Sequence, residues 1–254
     1  MIQIQNYSFQ YGQKQVLKGI DAAIPTGGLT AVIGLNGAGK STLLRCLSKQ
    51  MTSHNGSILI DGKDIRPYSF REYARLVSLV PQLSSIGKVD CTVRDFLVEG
   101  RTPYLPPFQV PSRADYQIAE EKAEKLGVTQ YLGSDFSSLS GGQQQLVLLT
   151  RALVQDTPIV LLDEPMSALD LANQARFLRM IRDLSGSGKT VLFSTHDPNH
   201  ALHLGCDVLL LKDGRILSQG NAVSCITDDN MHEIYGDSVE LVHAGAKNLL
   251  ALKD

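Results

Sequence analysis

Apolar and polar residues alternate over the opening of the chain. "IQIQNYSFQYG" and "QVLKGIDAAI" therefore read as strands separated by a turn at Tyr11–Gly12. "GLTAVIG", residues 28–34, is mostly apolar and predicts a buried strand, and "KSTLLRCLSKQ" behind it has helical spacing. "GSILIDG" and "RLVSLVPQ" add two more strands. Between residues 83 and 138 the β-alternation stops. "TVRDFLVEG" and "ADYQIAEEKAEKLG" are helical there, and the prolines of "RTPYLPPFQVPSR" prevent one long helix. After Leu139 the pattern runs helix "QQLVLLTRALV", strand "PIVLLDE", helix "DLANQARFLRMIRDLS", strand "TVLFSTHD" and strands in "CDVLLLKDGRILSQG". The tail "ITDDNMHEIYGDSVELVHAGAKNLLALKD" reads as a short helix and one or two closing strands. Strands alternating with helices, several of them near-continuous Val/Ile/Leu runs, predict an α/β chain with a mostly parallel sheet covered on both faces.

The whole chain, 1–254, is expected to be one domain. Residues 1–82 and 139–220 would form its core, 83–138 an inserted helical subdomain and 221–254 a closing segment. Composition fits a globular chain with a sizeable core, 43% hydrophobic and 20% charged. A net charge of −2 gives no footprint for nucleic acid held by bulk charge, so no nucleic-acid partner is expected. Cys46, Cys91, Cys206 and Cys225 are far apart without ligand spacing and read as single thiols. The first ten residues have no basic n-region and are not read as a signal peptide. No apolar run reaches the roughly 18 residues of a spanning helix. Any membrane role would come through a partner.

Two stretches carry chemistry. "GLNGAGKS", Gly34 to Ser41, fits G-x-x-x-x-G-K-[ST] between a strand and a helix. In such a loop backbone amides wrap phosphates, Lys40 reaches the β/γ oxygens and the Ser41 hydroxyl ligates magnesium. "SGSGKT", Ser185 to Thr190, looks alike, but it lacks the first glycine and runs from helix to strand, so it reads as a connecting turn. "IVLLDE" ends a buried strand in two carboxylates. Asp163 can hold magnesium, and Glu164, pointing differently along the pleat, can take a proton from an attacking water. His196 ends another strand on the same rim, and Gln82 ends a third. Taken alone, each fits a structural role as readily as a catalytic one. Tyr11 can stack on a purine ring, and an exposed turn tyrosine fits equally well on local grounds. Finally "LSGGQ", Leu139 to Gln143, places two glycines at the mouth of a helix, a second anion cradle.

In this order and spacing the motifs closely resemble the ATP-binding subunit of ABC transporters, over essentially the whole chain. The pairing of "LSGGQ" with "LLDEP" is the most specific part. The resemblance implies a P-loop ATPase of ABC type, with an antiparallel β subdomain at the N-terminus. It places adenine on Tyr11, the phosphates of ATP on Asn36, Gly37, Ala38, Gly39, Lys40, Ser41 and Thr42, and Mg2+ near Ser41, Gln82 and Asp163. Glu164 is similar to the general base, His196 to the switch histidine sensing the γ-phosphate, and "SALD", Ser167 to Asp170, to the loop that crosses to a partner. One triphosphate fills one cradle, so the second implies two copies head-to-tail, Ser140, Gly141, Gly142 and Gln143 closing over ATP held by the other copy. Met166 and Leu146 depart from residues usual in the family, at positions that supply no catalytic atoms there.

"VEGRTPYL", Val98 to Leu105, and the tail resemble importers of ferric siderophores, haem and cobalamin. That reading implies a peripheral subunit on the cytoplasmic face of the cell membrane, docked through residues 82–138 on integral permease subunits and served indirectly by a substrate-binding protein. Importers of molybdate or another metal stay open. So does a soluble ABC ATPase of macromolecular assembly, such as iron–sulfur cluster assembly.

Overall fold

The computed structural model describes residues 1–53, 55–244 and 247–253. Along the chain come β1 (Ile2–Tyr11), β2 (Lys14–Ile24), β3 (Leu29–Ile33), α1 (Lys40–Leu47), β4 (Asn55–Ile60), β5 (Lys63–Asp64), α2 (Phe70–Tyr73) and β6 (Val77–Val80). The helices α3 (Val93–Val98), α4 (Arg113–Leu126) and α5 (Gly141–Val154) follow. Then come β7 (Ile159–Leu162), α6 (Leu171–Gly186), β8 (Thr190–Thr195), α7 (Pro198–Leu204), β9 (Asp207–Lys212) and β10 (Arg215–Asn221). The tail holds α8 (Ala222–Cys225), α9 (Asp228–Tyr235), β11 (Val239–Ala244) and β12 (Lys247–Leu252).

Two sheets build the body. One is antiparallel, in the order β2-β1-β4-β5, and the other is six-stranded, in the order β10-β9-β3-β8-β7-β6. Within the second, β9, β3, β8, β7 and β6 are parallel to their neighbours, while β10 turns back antiparallel on β9. A third, two-stranded sheet pairs β11 with β12.

Side chains alternate across a strand, so a sheet covered on both faces favours apolar residues on both sides of each strand. Val160 and Leu162 of β7, with Val191 and Phe193 of β8, join one core with α3 to α9. Ile159, Leu161 and Leu192, on the opposite face, join a second core with α1 and the antiparallel sheet. The continuous apolar runs thus feed two cores rather than one.

Several features differ from the sequence pattern, among them the short helices α7 and α8. The helix expected through Gln50 ends at Leu47, because Lys49 turns left-handed (φ 61°). Its buried ammonium then donates to the carbonyls of Ile65 and Arg66, each at 3.0 Å, and of Tyr68. The short α2, unseen in the periodicity, is set by a capping box between Ser69 and Glu72. Helix α5 packs against α3 and α4, so the helix opened by "LSGGQ" joins the helical lobe as well as the core. The "SGSGKT" stretch finishes α6 and turns into β8, as its order of elements requires. All four cysteines are free, three of them buried.

Residues Glu99–Tyr104 form a 3-10 turn at the seam between lobe and core. Gly100 lies so close to α5 that a Cβ would stand 2.6 Å from the Arg151 carbonyl oxygen and 3.1 Å from the Val154 side chain. The Arg101 guanidinium stacks on Tyr104 at 4.1 Å and pairs with Asp115 at 3.2 Å, while Tyr104 Oη donates to the Gln155 carbonyl at 3.0 Å. Backbone cannot yield as a side-chain tip does. Gly100→Ala is therefore expected to destabilise the fold by about 1–3 kcal/mol, read as a lower urea midpoint at unchanged slope.

Candidate nucleotide site

Four parallel strands end on one rim, the edge where open α/β sheets place their ligands. Strand β3 leads into Gly34–Gly39, β6 into Gln82, β7 into Asp163 and Glu164, and β8 into His196. At Gly34 any Cβ would fall 2.2 Å from the Leu211 carbonyl oxygen, so the loop can leave β3 beside β9 only as glycine. Gly39 takes φ 111° and opens α1. Lys40, 4% exposed, bends back so that its ammonium donates to the carbonyls of Gly34 (2.8 Å) and Leu35 (3.1 Å). The loop is thereby closed into a ring around one cation. Tyr11, Asn36, Gly37, Gly39, Lys40, Ser41, Thr42, Gln82 and Glu164 line a cleft of about 470 Å³ there, joined by Lys14 and Val16. Ala38 lies beneath, its carbonyl accepting from the Gly214 N–H at 3.1 Å.

The acid pair splits into two roles by position. Asp163 is 2% exposed, and a buried carboxylate must be hydrogen-bonded. Its Oδ1 accepts from Ser41 Oγ at 2.9 Å and from Ser194 Oγ at 2.8 Å, while its N–H donates to the Val80 carbonyl at 2.9 Å. Glu164 is separated from it by the backbone, not by the pleat. Strand β7 has already ended at Leu162, and Glu164 adopts φ 44°, a left-handed conformation uncommon outside glycine. Its N–H is held by Ser194 Oγ at 2.8 Å. That turn swings the carboxylate into the cleft, 3.2 Å from Lys40 Nζ and 3.7 Å from His196 Nδ1.

Ser41 Oγ and the Asp163 carboxylate, 2.9 Å apart, are hard oxygen donors of the kind Mg2+ accepts alongside phosphate and water, and Gln82 lines the same cleft as Ser41. Among the described residues no group of three or more His, Cys, Asp and Glu gathers into a closed cage. His196 is 57% exposed. Tyr11 is 44% exposed, edge-on to Phe9 with ring centroids 5.0 Å apart.

The second cradle stands outside this cleft. Ser140 caps α5, its side chain accepting from the Gln143 N–H while Gln143 Oε1 accepts from the Ser140 N–H at 2.9 Å. Gln143 Nε2 donates to Tyr131 Oη at 3.2 Å. A Cβ on Gly142 would come within 3.3 Å of Leu169, whose loop, Ser167 to Asp170, leads into α6 with Asp170 as its cap. Met166 is 3% exposed and packs into the core, which accounts for an apolar residue there.

Four residues at this rim were not singled out by the sequence. Ser194 bonds both acids, and its signal was a lone serine inside the apolar run "TVLFST". Thr195 Oγ1 and His200 Nδ1 are 2.9 Å apart. Burial holds His200 below the usual histidine range, against the opposing pull of Asp197. Tyr235 donates to the His196 carbonyl from the tail, a stretch whose resemblance to importers assigns this tyrosine no role.

The profile of the ABC transporter family matches residues 17–167. A probable iron chelatin transport ATP-binding protein of Helicobacter pylori is 34% identical over 244 residues, covering 95% of this chain and 95% of that protein. Among solved structures, a transporter described as metal-chelate type, in an inward-facing conformation, is 30% identical with a TM-score of 0.83, covering 98% of this chain and 95% of that one. A dimeric bacterial ABC transporter cassette is 25% identical with a TM-score of 0.77, covering 87% of this chain and 99% of that one.

Ser194→Ala would leave the Glu164 N–H without its acceptor and take one donor from the buried Asp163. It is expected to lower stability by about 1–3 kcal/mol in a denaturant melt.

Proposed function

The chain belongs to the ABC transporter family, and on that footing we propose that it is the ATP-hydrolysing subunit of an iron-chelate or other metal-chelate importer, working as one of two copies packed head-to-tail. The observation that carries this reading is the convergence of Lys40, Ser41, Asp163 and Glu164 within 3.2 Å contacts on one rim, with Ser140–Gln143 outside that cleft. The relatives' iron chelatin and metal-chelate names support the cargo class.

In this reading Tyr11 stacks on adenine and the loop amides of Asn36 to Thr42 wrap the phosphates. Ser41, Asp163 and Gln82 would hold Mg2+, which would supply charge neutralisation for the phosphates. Lys40 gives its ammonium to the β/γ oxygens, competing with the ion pair that now engages Glu164. The carboxylate so released is placed to accept a proton from a water aimed at the γ-phosphorus. His196, 3.7 Å from Glu164, contacts the γ-phosphate and registers its departure. Ser140, Gly141, Gly142 and Gln143 of the second copy offer a helix N-terminus to the same phosphate. Each nucleotide thus bridges two subunits, and hydrolysis with phosphate release removes the bridge.

The mechanical output needs a membrane partner. Among the described residues no helix is long and apolar enough to cross a membrane. A groove of about 680 Å³ lies between α2 and the proline-rich loop, lined by Phe70, Arg71, Pro103, Leu105, Phe108 and Val110 among others. Phe70, Phe108 and Val110 are exposed large hydrophobes, a patch of the kind that marks a protein contact. This groove suits a permease segment on the cytoplasmic side. The seam at Arg101 and Tyr104 beside it would carry the motion to the core.

Glu164→Gln keeps shape and removes the base. ATP turnover is expected to fall roughly 10²-fold or more, with ATP-dependent dimers accumulating in sedimentation. Turnover at the unsubstituted rate would reject the base assignment. Purification from detergent-solubilised membranes is expected to bring down a many-helix permease. Recovery as a chain free of any membrane subunit would reject the importer reading.

A further inference from the structure

The loop after β8 carries His196, and much of that loop holds itself. The Asp197 N–H donates to Thr195 Oγ1 at 3.1 Å, the Asn199 N–H to Asp197 Oδ1 at 2.9 Å, and Thr195 Oγ1 meets His200 Nδ1 at 2.9 Å. These bonds fix the residues on either side of His196. Its own carbonyl oxygen accepts from Tyr235 Oη, 39 residues further along the chain, at 2.8 Å. The imidazole is more than half exposed and 3.7 Å from Glu164, so its place follows from its backbone and not from close packing.

The tail grips this loop a second time. Asn199 Oδ1 accepts from the Leu250 N–H at 2.8 Å, and Asn199 Nδ2 donates to the Leu250 carbonyl at 3.1 Å. The tail is itself anchored. Met231, Ile234 and Val239 are buried in the core, and the Leu241 N–H donates to Asp228 Oδ1 at 3.0 Å. Burial, with the Asp197 carboxylate adding to it, pushes the Tyr235 phenol well above its usual range, so it stays a donor.

We propose that Tyr235 is a positioning residue for ATP hydrolysis: by holding the His196 carbonyl it fixes where the imidazole stands beside Glu164, and the C-terminal segment thereby sets the rate of turnover. The inference rests on the reading of His196 as the residue that contacts the γ-phosphate. Tyr235 does not line the phosphate cleft. Its loss should act on the chemical step and spare nucleotide binding, since small displacements of a positioned group cost rate steeply.

The test uses the full chain. Tyr235→Phe keeps the ring and removes only the donor. It is expected to lower kcat for ATP roughly five- to twentyfold with KM within about twofold, and to shift the imidazole C2–H proton resonance of His196, assigned by its loss in His196→Ala. Asn199→Ala, which loosens the second grip, is expected to move kcat in the same direction. In the His196→Ala background, Tyr235→Phe is expected to add no further loss. An unchanged kcat with an unmoved His196 resonance in Tyr235→Phe would overturn the proposal. So would a full additional loss in the double variant. Full turnover by His196→Ala alone is a different failure: it would overturn the γ-phosphate reading on which this proposal stands.

Discussion

A carboxylate buried to 2% exposure needs partners from several directions, and Asp163 draws its partners from three elements. Ser41 reaches it from α1, Ser194 from β8, and its own N–H is tied to the end of β6. The order β3-β8-β7-β6 brings these elements side by side, so the phosphate loop and the acid strand cannot be placed independently. Ser194 passes the constraint on by holding the Glu164 N–H, in a residue whose backbone is already left-handed. The cleft is therefore organised from below, and the exposed groups above it inherit their positions.

The same logic separates the two glycine cradles. The ring around Lys40 is closed by the carbonyls of Gly34 and Leu35, and the cleft it opens does not include α5. The start of α5 is completed by a reciprocal Ser140–Gln143 cap, which satisfies two backbone groups and leaves the helix N-terminus as a formed surface. A formed surface without a ligand position of its own is what a shared site between two copies requires.

Coupling depends on how the helical lobe is joined to this frame. Helix α5 touches α3 and α4 on one side and the core on the other, and the Arg101–Tyr104 stack sits where the apolar groove meets it. A segment pressed into that groove would act on the lobe carrying Ser140. The tail acts from the opposite end through Tyr235 and Asn199 on the loop of His196. In the proposed reading, motion would reach the shared site from two places, the start of α5 at Ser140 and the loop of His196.

Local physics was legible in the residues alone. The strand–loop–helix of Gly34 to Ser41, the apolar strand before Asp163 and the connecting turn at Ser185–Thr190 each follow from neighbours a few positions apart, and periodicity reports such neighbours directly. The resemblance in the motifs pointed to the family of which the chain is a member. The two hydrogen bonds of Ser194, the left-handed turn at Glu164, the ending of α1 at Lys49 and the reach of Tyr235 to His196 were not legible. Most of them depend on residues far apart in the chain, 30 and 31 positions for Ser194 with Glu164 and Asp163, and 39 for Tyr235 with His196. A pattern of apolar and polar positions says which face of an element is buried. Only the tertiary structure decides which element buries it, and with that which hydroxyl finds which carboxylate.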